Sequence, residues 1–273
     1  MAATAEPRAK PGSPVTACLL IIGNEILSGR TQDKNLAFIG QGLNELGIRL
    51  MEVRVIPDVE ATVVATLDEV RRRFDYVFTT GGIGPTHDDI TADCVAKAFG
   101  LPLTVNPEAR AILEAHYPPG QLTEARLRMA RTPEGATLIE NPVSRAPGFQ
   151  VENVFVMAGI PNIMQAMFAS VKHRLVGGQP LRSRTLAVEM GESFVADGLA
   201  GLQARYPDVE IGSYPFTRDG VFGTRLVLRA TEESVLDAAA AELETLIAAL
   251  GAKSAWETGP APAQTPSGQQ RSA

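Results

Sequence analysis

Residues 79–91 read Thr-Thr-Gly-Gly-Ile-Gly-Pro-Thr-His-Asp-Asp-Ile-Thr. Just before them, Tyr76–Thr80 is a short run of β-favouring residues. Beyond them, residues 90–99 (ITADCVAKAF) carry a helical apolar stripe that Gly100 stops. A strand that runs into a Gly-rich loop and then a helix is a unit of an open α/β sheet, whose ligands bind beyond the carboxyl ends of the strands. Glycines let a ligand approach the backbone, and free N–H groups at a helix start attract anions. Asp88 and Asp89 place two carboxylates beside that loop. Carboxylate beside phosphate is repulsive unless a cation lies between them, and Mg²⁺ is commonly held by one or two carboxylates plus substrate phosphates. The other reading of Asp89 is a plain N-cap of the helix beginning there.

The same alternation extends outward from this block. Val15–Ile22 is a continuous apolar run, as expected of a strand covered on both faces. Residues 33–46 (DKNLAFIGQGLNEL) have an apolar stripe at 36, 39, 43 and 46, so a helix is expected there, with Asp33 as its cap. Ile48–Ile56 reads as a strand ended by Pro57, and Glu60–Arg73 as a helix. Residues 107–117 and 123–131 read as two more helices, 153–157 as a strand and 162–175 as a helix. The prediction is α/β, a three-layer, mostly parallel sheet with helices on both faces, over residues 15–176. Gly177, Gly178 and Pro180 then punctuate the chain. Residues 182–252 follow a β-α-β-β-α order, a small α+β domain with a partly antiparallel sheet. Residues 1–14 and 253–273 are Pro-rich or polar and are expected to be disordered tails.

Three further loops follow predicted strands and leave the same edge of a parallel sheet. Residues 23–33 (GNEILSGRTQD) contain Glu25, which directly follows a buried strand, and Asp33, which reads first as a cap. Asp58 follows Ile56-Pro57, and both readings, cap or functional acid, stand. Ala158-Gly159-Ile160-Pro161 is the last of these loops. Their joint occurrence says more than any one of them. His87 lies in the Gly-rich loop, where a general acid–base role and a merely polar one are both open.

Composition excludes several classes. The chain has 273 residues, 25 basic and 31 acidic, for a net charge of −6. That balance argues against a general nucleic-acid binder, whose affinity comes mostly from Lys and Arg on phosphates. Gly220-Val221-Phe222-Gly223 matches a GXXG pattern of nucleic-acid-binding modules, but it falls between two predicted strands. No Walker A or G-x-S-x-G motif occurs. The two cysteines, Cys18 and Cys94, sit in apolar segments without metal spacing. They read as reduced, buried thiols of a cytoplasmic protein. No apolar run reaches the roughly 18 residues a membrane helix needs. The expected partner is a small phosphorylated ligand, with neither nucleic acid nor membrane.

GNEILSGRTQDKN, IPD, TTGGIGPTHDDIT, NPVSRAPGF and AGIPNIMQAM, in that order and spacing, resemble the CinA-type molybdopterin-binding-like domain, part of the MogA and MoaB superfamily. The resemblance covers about residues 15–175, and the second domain resembles the KH-like module that follows it in CinA proteins. It implies a pyrophosphatase dependent on a divalent metal (Mg, Mn or Co) that acts on ADP-ribose, FAD or a related dinucleotide. It also implies an alternative, a molybdopterin-binding or cofactor-assembly protein without hydrolysis. Carried onto this sequence, it falls on Asp89, Asp58, Asp33 and Glu25; together with the second carboxylate of the Gly-rich loop this gives Asp89, Asp58 and Glu25 as expected catalytic residues and Asp88, Asp89 and Glu25 as expected metal ligands. The ligand would meet Gly23, Asn24, Asp33, Thr80, Gly81, Gly82, Gly84, Pro85, Thr86, Gly159 and Pro161. Glu25 matches an acid of the CinA-type loop that the MogA branch lacks. Ala158 stands where the family has Pro, and Ile163 where it has an acid. The nicotinamide mononucleotide deamidase domain that often follows is not expected here.

The resemblance also implies a homodimer, and the short strands of residues 182–252, whose small sheet leaves an edge or face to cover, put most of the contact there. Light scattering should give the full chain a dimeric mass and a chain ending at Val176 a monomeric one. A monomeric full chain, or a dimeric shortened one, contradicts this.

Overall fold

The structure is a computed structural model that describes residues 13–218 and 220–257. Most of the expected N-terminal tail, Asp219 and everything from residue 258 onward lie outside the described residues. The chain divides between Pro180 and Leu181 into two compact units.

The first unit runs β1 (Val15–Ile22), α1 (Asn24–Leu27), α2 (Asn35–Glu45), β2 (Ile48–Ile56), α3 (Glu60–Arg73), β3 (Tyr76–Thr80) and α4 (Thr91–Phe99). It continues through β4 (Leu103–Val105), α5 (Pro107–His116), α6 (Glu124–Leu127), β5 (Arg131–Pro133), β6 (Thr137–Ile139), β7 (Gly148–Val151), β8 (Val154–Met157) and α7 (Pro161–Val171). Six strands form one sheet in the order β2-β1-β3-β8-β7-β6. The pairings from β2 to β8 are parallel, and β7 and β6 are antiparallel additions.

Strand periodicity explains the three layers. Ala17, Leu19 and Ile21 of β1 face Ile39 and Leu43 of α2 and Met164, Met167 and Phe168 of α7. Cys18, Leu20 and Ile22 face Val63, Leu67 and Val70 of α3 and Cys94 and Val95 of α4. A strand buried on both faces must be apolar throughout, and that is why β1 reads as one unbroken run. Two buried polar clamps fix the end of the sheet away from the site. Asp75 accepts from the Thr16 N–H at 2.7 Å and the Thr16 hydroxyl at 2.8 Å, joining β1 to β3. The Tyr76 hydroxyl accepts from the Val176 N–H at 2.9 Å and donates to the Val176 carbonyl at 3.2 Å.

The second unit contains β9 (Arg182–Val188), α8 (Glu192–Arg205), β10 (Glu210–Arg218), β11 (Val221–Ala230), α9 (Glu233–Ala249) and β12 (Ser254–Glu257). Its sheet is antiparallel in the order β10-β11-β9-β12, and its core gathers Leu226 and Leu228 of β11 with Leu236, Leu243 and Ile247 of α9. Three expectations need correction. The predicted helix 123–131 is a single α turn, then a 3-10 turn at Arg128–Ala130, after which Arg131–Pro133 pairs with β4. Ser254–Glu257, expected in a tail, is a strand on β9, with Trp256 packed on the core. Gly220 occupies a hairpin turn at φ 80° and residues 221–223 open β11, so the GXXG segment is no helix–loop–helix clamp. Among the described residues, no helix is long and apolar enough to cross a membrane.

Cys18 and Cys94 are fully buried on one face of the sheet, and burial pushes both thiols up to about 12. The thiolate is the reactive form, so at about pH 8 neither should react with a water-soluble disulfide reagent until the protein is denatured. A thiol titrating in the native protein would contradict this packing.

Candidate functional site

The connections of β1 lead to β2 on one side, while β3 lies on the other. The carboxyl ends of β1 and β3 therefore flank the topological switch point, where open α/β sheets bind ligands. Three strand ends press together there. The Gly81 N–H donates to the Met157 carbonyl at 3.1 Å, and the Gly23 N–H to that of Ile56 at 3.1 Å. Gly81 has φ 101°, and a Cβ on it would lie 2.2 Å from the Ile22 carbonyl oxygen. A Cβ on Gly159 would come within 3.3 Å of Gly81 Cα. Thr91, fully buried, ties α4 to this loop: its hydroxyl donates to the Gly81 carbonyl at 3.0 Å and its N–H to that of Gly82 at 3.0 Å.

Two clefts open on either side of this loop. The first is lined by Glu25, Asp33, Thr80, Gly159 and Pro161 of the predicted set, together with Lys34 and Asn35. Glu25 lies in the first turn of α1, exposed, with its carboxylate folded back over Gly23. Asp33 lies one residue before Lys34, the N-cap position of α2, and its Oδ1 accepts from the Leu36 N–H of the first turn at 2.9 Å while it faces the cleft. Asp58 does not cap α3, whose start carries no side-chain cap. Its Oδ2 accepts from the Asn24 N–H at 2.9 Å, so it fixes the loop that carries Glu25.

Sequence reasoning missed Asn35. Its amide donates to the Gly159 carbonyl at 2.8 Å, joining α2 to the loop after β8. Its Oδ1, like the hydroxyl of Thr80 beside it, is buried with no hydrogen-bond partner. Buried polar groups are normally satisfied. Two orphaned ones lining one cleft mark positions where a ligand or a water completes the bonding.

The second cleft is lined by Gly82, Ile83, Gly84 and Asp89 on one wall and by Arg128, Arg131, Pro147 and Phe149 on another. Helix α4 starts at Thr91 after Ile90, one residue later than expected, so Asp89 is not its cap. Instead Asp89 Oδ2 accepts from the Thr86 N–H at 2.8 Å and the Thr86 hydroxyl at 2.5 Å, and a Cβ on Gly84 would lie 2.6 Å from it. The acid closes the loop on itself. Asp88 lines neither cleft. It is exposed, and its carboxyl is held below the ordinary value chiefly by hydrogen bonding to Thr86. His87 is exposed beside it, with the two side chains 3.9 Å apart. Pro85 and Thr86 belong to the turn between Gly84 and Asp89 and line neither cleft.

The three acids read as metal ligands therefore stand apart, with Glu25 on one cleft, Asp89 on the other and Asp88 outside both. Among the described residues no group of three or more His, Cys, Asp or Glu converges on a cation position. This donor set fits an ion completed by ligand phosphates, with one carboxylate from the chain, and not a preformed protein cage.

Residues 18–177 match the family described as probable molybdopterin binding domain, and the chain belongs to it. Residues 180–253 match the middle domain of FAD synthase. Within the family the chain is of the CinA type: a crystal structure of the protein CinA from Thermoplasma acidophilum is 34% identical, with a TM-score of 0.54 over 58% of this chain and 97% of that one. An Archaeoglobus fulgidus protein is 34% identical over 72% of this chain and 84% of its own length. A Caenorhabditis elegans protein named a probable FAD synthase is 29% identical over 85% of this chain, which spans half of that longer protein.

Gly81→Ala tests the construction of the site. The methyl would meet the Ile22 carbonyl, which is backbone and cannot swing aside, at a φ that L-residues rarely adopt. We expect a loss of at least about 2 kcal/mol in stability by denaturant titration. A variant as stable as the parent would show that the strand ends are not in this contact.

Proposed function

We propose that this chain is a divalent-metal-dependent nucleotide pyrophosphatase acting on ADP-ribose, FAD or a related dinucleotide. The observation that carries the reading is the first cleft: a carboxylate, Glu25, beside the orphaned Asn35 Oδ1 and Thr80 hydroxyl, at the edge of a loop whose glycines expose backbone to a ligand. The relative named for FAD synthesis, and the match of residues 180–253 to a domain of that enzyme, support a ligand with a diphosphate bridge. A bound divalent ion would neutralise phosphate oxygens and favour attack by water.

The chain's own residues would do the rest. The loop at residues 81–84 presents backbone to a phosphate, and Thr80 and Asn35 fix the ligand beside it. Asp58 holds the Asn24 N–H and so aims Glu25. The Glu25 carboxylate takes the proton of the attacking water. The water oxygen bonds to one phosphorus, the bridging P–O bond breaks, and the departing phosphate keeps that bond's electron pair. From ADP-ribose the products are AMP and ribose 5-phosphate. Asp89 keeps the Gly-rich loop closed.

One observation favours a second reading. Because Glu25, Asp88 and Asp89 do not converge, the same pocket could bind molybdopterin without hydrolysing anything.

AMP release from ADP-ribose or FAD with Mg²⁺, Mn²⁺ or Co²⁺ separates the two readings. Glu25→Gln should lower turnover by about 100-fold or more while leaving stability unchanged. Asp89→Asn keeps an oxygen acceptor for Thr86 and should preserve both the fold and most of the activity, whereas Asp89→Ala opens the loop and should lose activity together with about 1 kcal/mol of stability. Absence of AMP release with every metal would leave the binding reading in its place.

A further inference from the structure

The outer edge of the first unit's sheet carries an apolar stripe that nothing among the described residues covers. β2 is an edge strand, paired only with β1. Val53 pairs with Leu19 and Val55 with Ile21, so both side chains stand on the sheet face that α2 covers farther in. Yet Val53 is 36% exposed and Val55 39%, and Met51 beside them is 61% exposed. Helix α2 reaches this face at Leu50, from which a Cβ on Gly40 would lie 3.7 Å, and it leaves Leu36 39% exposed. Single exposed apolar residues are ordinary, but a contiguous stripe along an unpaired edge marks an interaction surface. The opposite face of the same strand is charged. Glu52 and Arg54 bond to each other at 2.5 Å, Arg54 to Glu69 at 2.6 Å and Arg73 to Glu52 at 3.2 Å.

The order Met51-Glu52-Val53-Arg54-Val55 is complementary to its own reverse. In an antiparallel pair with a second copy, centred on Val53, Met51 lies opposite the partner's Val55, Glu52 opposite the partner's Arg54 and Val53 opposite the partner's Val53. The apolar stripe then continues across the junction on one face, and opposite charges meet across it on the other. We propose that β2 pairs with β2 of a second copy about a two-fold axis at Val53, so that the edge of the main sheet is a homodimer contact. Met51 is the extra residue where the register with β1 shifts, and this bulge limits the pairing to residues 51–55. The contact lies in the first unit, whereas the sequence-based expectation places it in residues 182–252. It borders the first cleft without lining it, since β2 leads into Asp58, which holds the loop of Glu25. It does not depend on what the cleft binds or hydrolyses.

Sedimentation equilibrium of the full chain tests this. The parent should be a dimer. Val53→Glu and Val53→Lys should each weaken association by about tenfold or more, because like charges then face each other across the axis. Both should keep the parent's circular dichroism, since the side chain they replace is already partly exposed. An equimolar mixture of the two variants should recover the dimer, because each glutamate then meets a lysine, a result that only pairing at this position produces. Phe194→Lys, which charges an exposed aromatic of the second unit, should leave the dimer intact. A monomeric parent overturns the proposal, and so does a Val53→Glu variant that associates as the parent does. A mixture that stays monomeric rejects the axis at Val53, and dissociation by Phe194→Lys moves the contact to the second unit; either result also overturns it. AMP release is not read in this experiment, so failure of the functional reading and failure of the interface are distinguishable.

Discussion

Gly81 is the contact on which the rest of the site depends. The ends of β1, β3 and β8 meet there so closely that no side chain fits between the Ile22 carbonyl and the Gly81 backbone. Parallel pairing of these strands sends all their following loops to one edge. Close approach then brings residues from distant parts of the chain, Glu25, Asn35, Thr80 and Gly159, onto a single cleft. Thr91 extends the constraint to α4, because its hydroxyl and N–H are both spent on the carbonyls of Gly81 and Gly82. The Gly-rich loop is thus pinned at both ends, which is how a site can hold a ligand at modest entropic cost.

Electrostatics gives the two sides of that loop different characters. The chain is acidic as a whole, and the first cleft sets Glu25 and Asp33 beside a single cation, Lys34. The second sets Arg128 and Arg131 against Asp89. An anion approaching the loop meets a cationic wall on one side. On the other it meets two carboxylates and one lysine.

Much of the fold was legible because burial on two faces leaves a strong trace. β1, β2, α3 and β3 have the bounds their patterns predict, since unbroken apolar runs and the stop at Pro57 leave little choice. The antiparallel strands β6 and β7 and the closing strand β12 were not foreseen. Each is only three or four residues long and takes its identity from the partner it pairs with. The acids of the site were found in the right loops, but their duties were not. Asp58 reaches across to a backbone N–H of another loop, a relation no local pattern encodes. Arg128 and Arg131 were hidden by reading residues 123–131 as one helix. The signal that could have exposed them is Pro133, which stops the helix and leaves Arg131 extended against β4. Asn141 organises the neighbouring turn in the same unadvertised way, accepting from the N–H groups of Val143 and Ser144 and setting Arg145 at φ 65°.

The central claim is that the loops after β1, β3 and β8 form one ligand site at the switch point. Hydrogen–deuterium exchange with and without ADP-ribose tests it most directly. The account predicts slowed exchange in residues 23–33, 81–91 and 158–161 together, with no change across β9 to β12. Protection confined to the second unit, or absent from any of the three loops at saturating ligand, would contradict it.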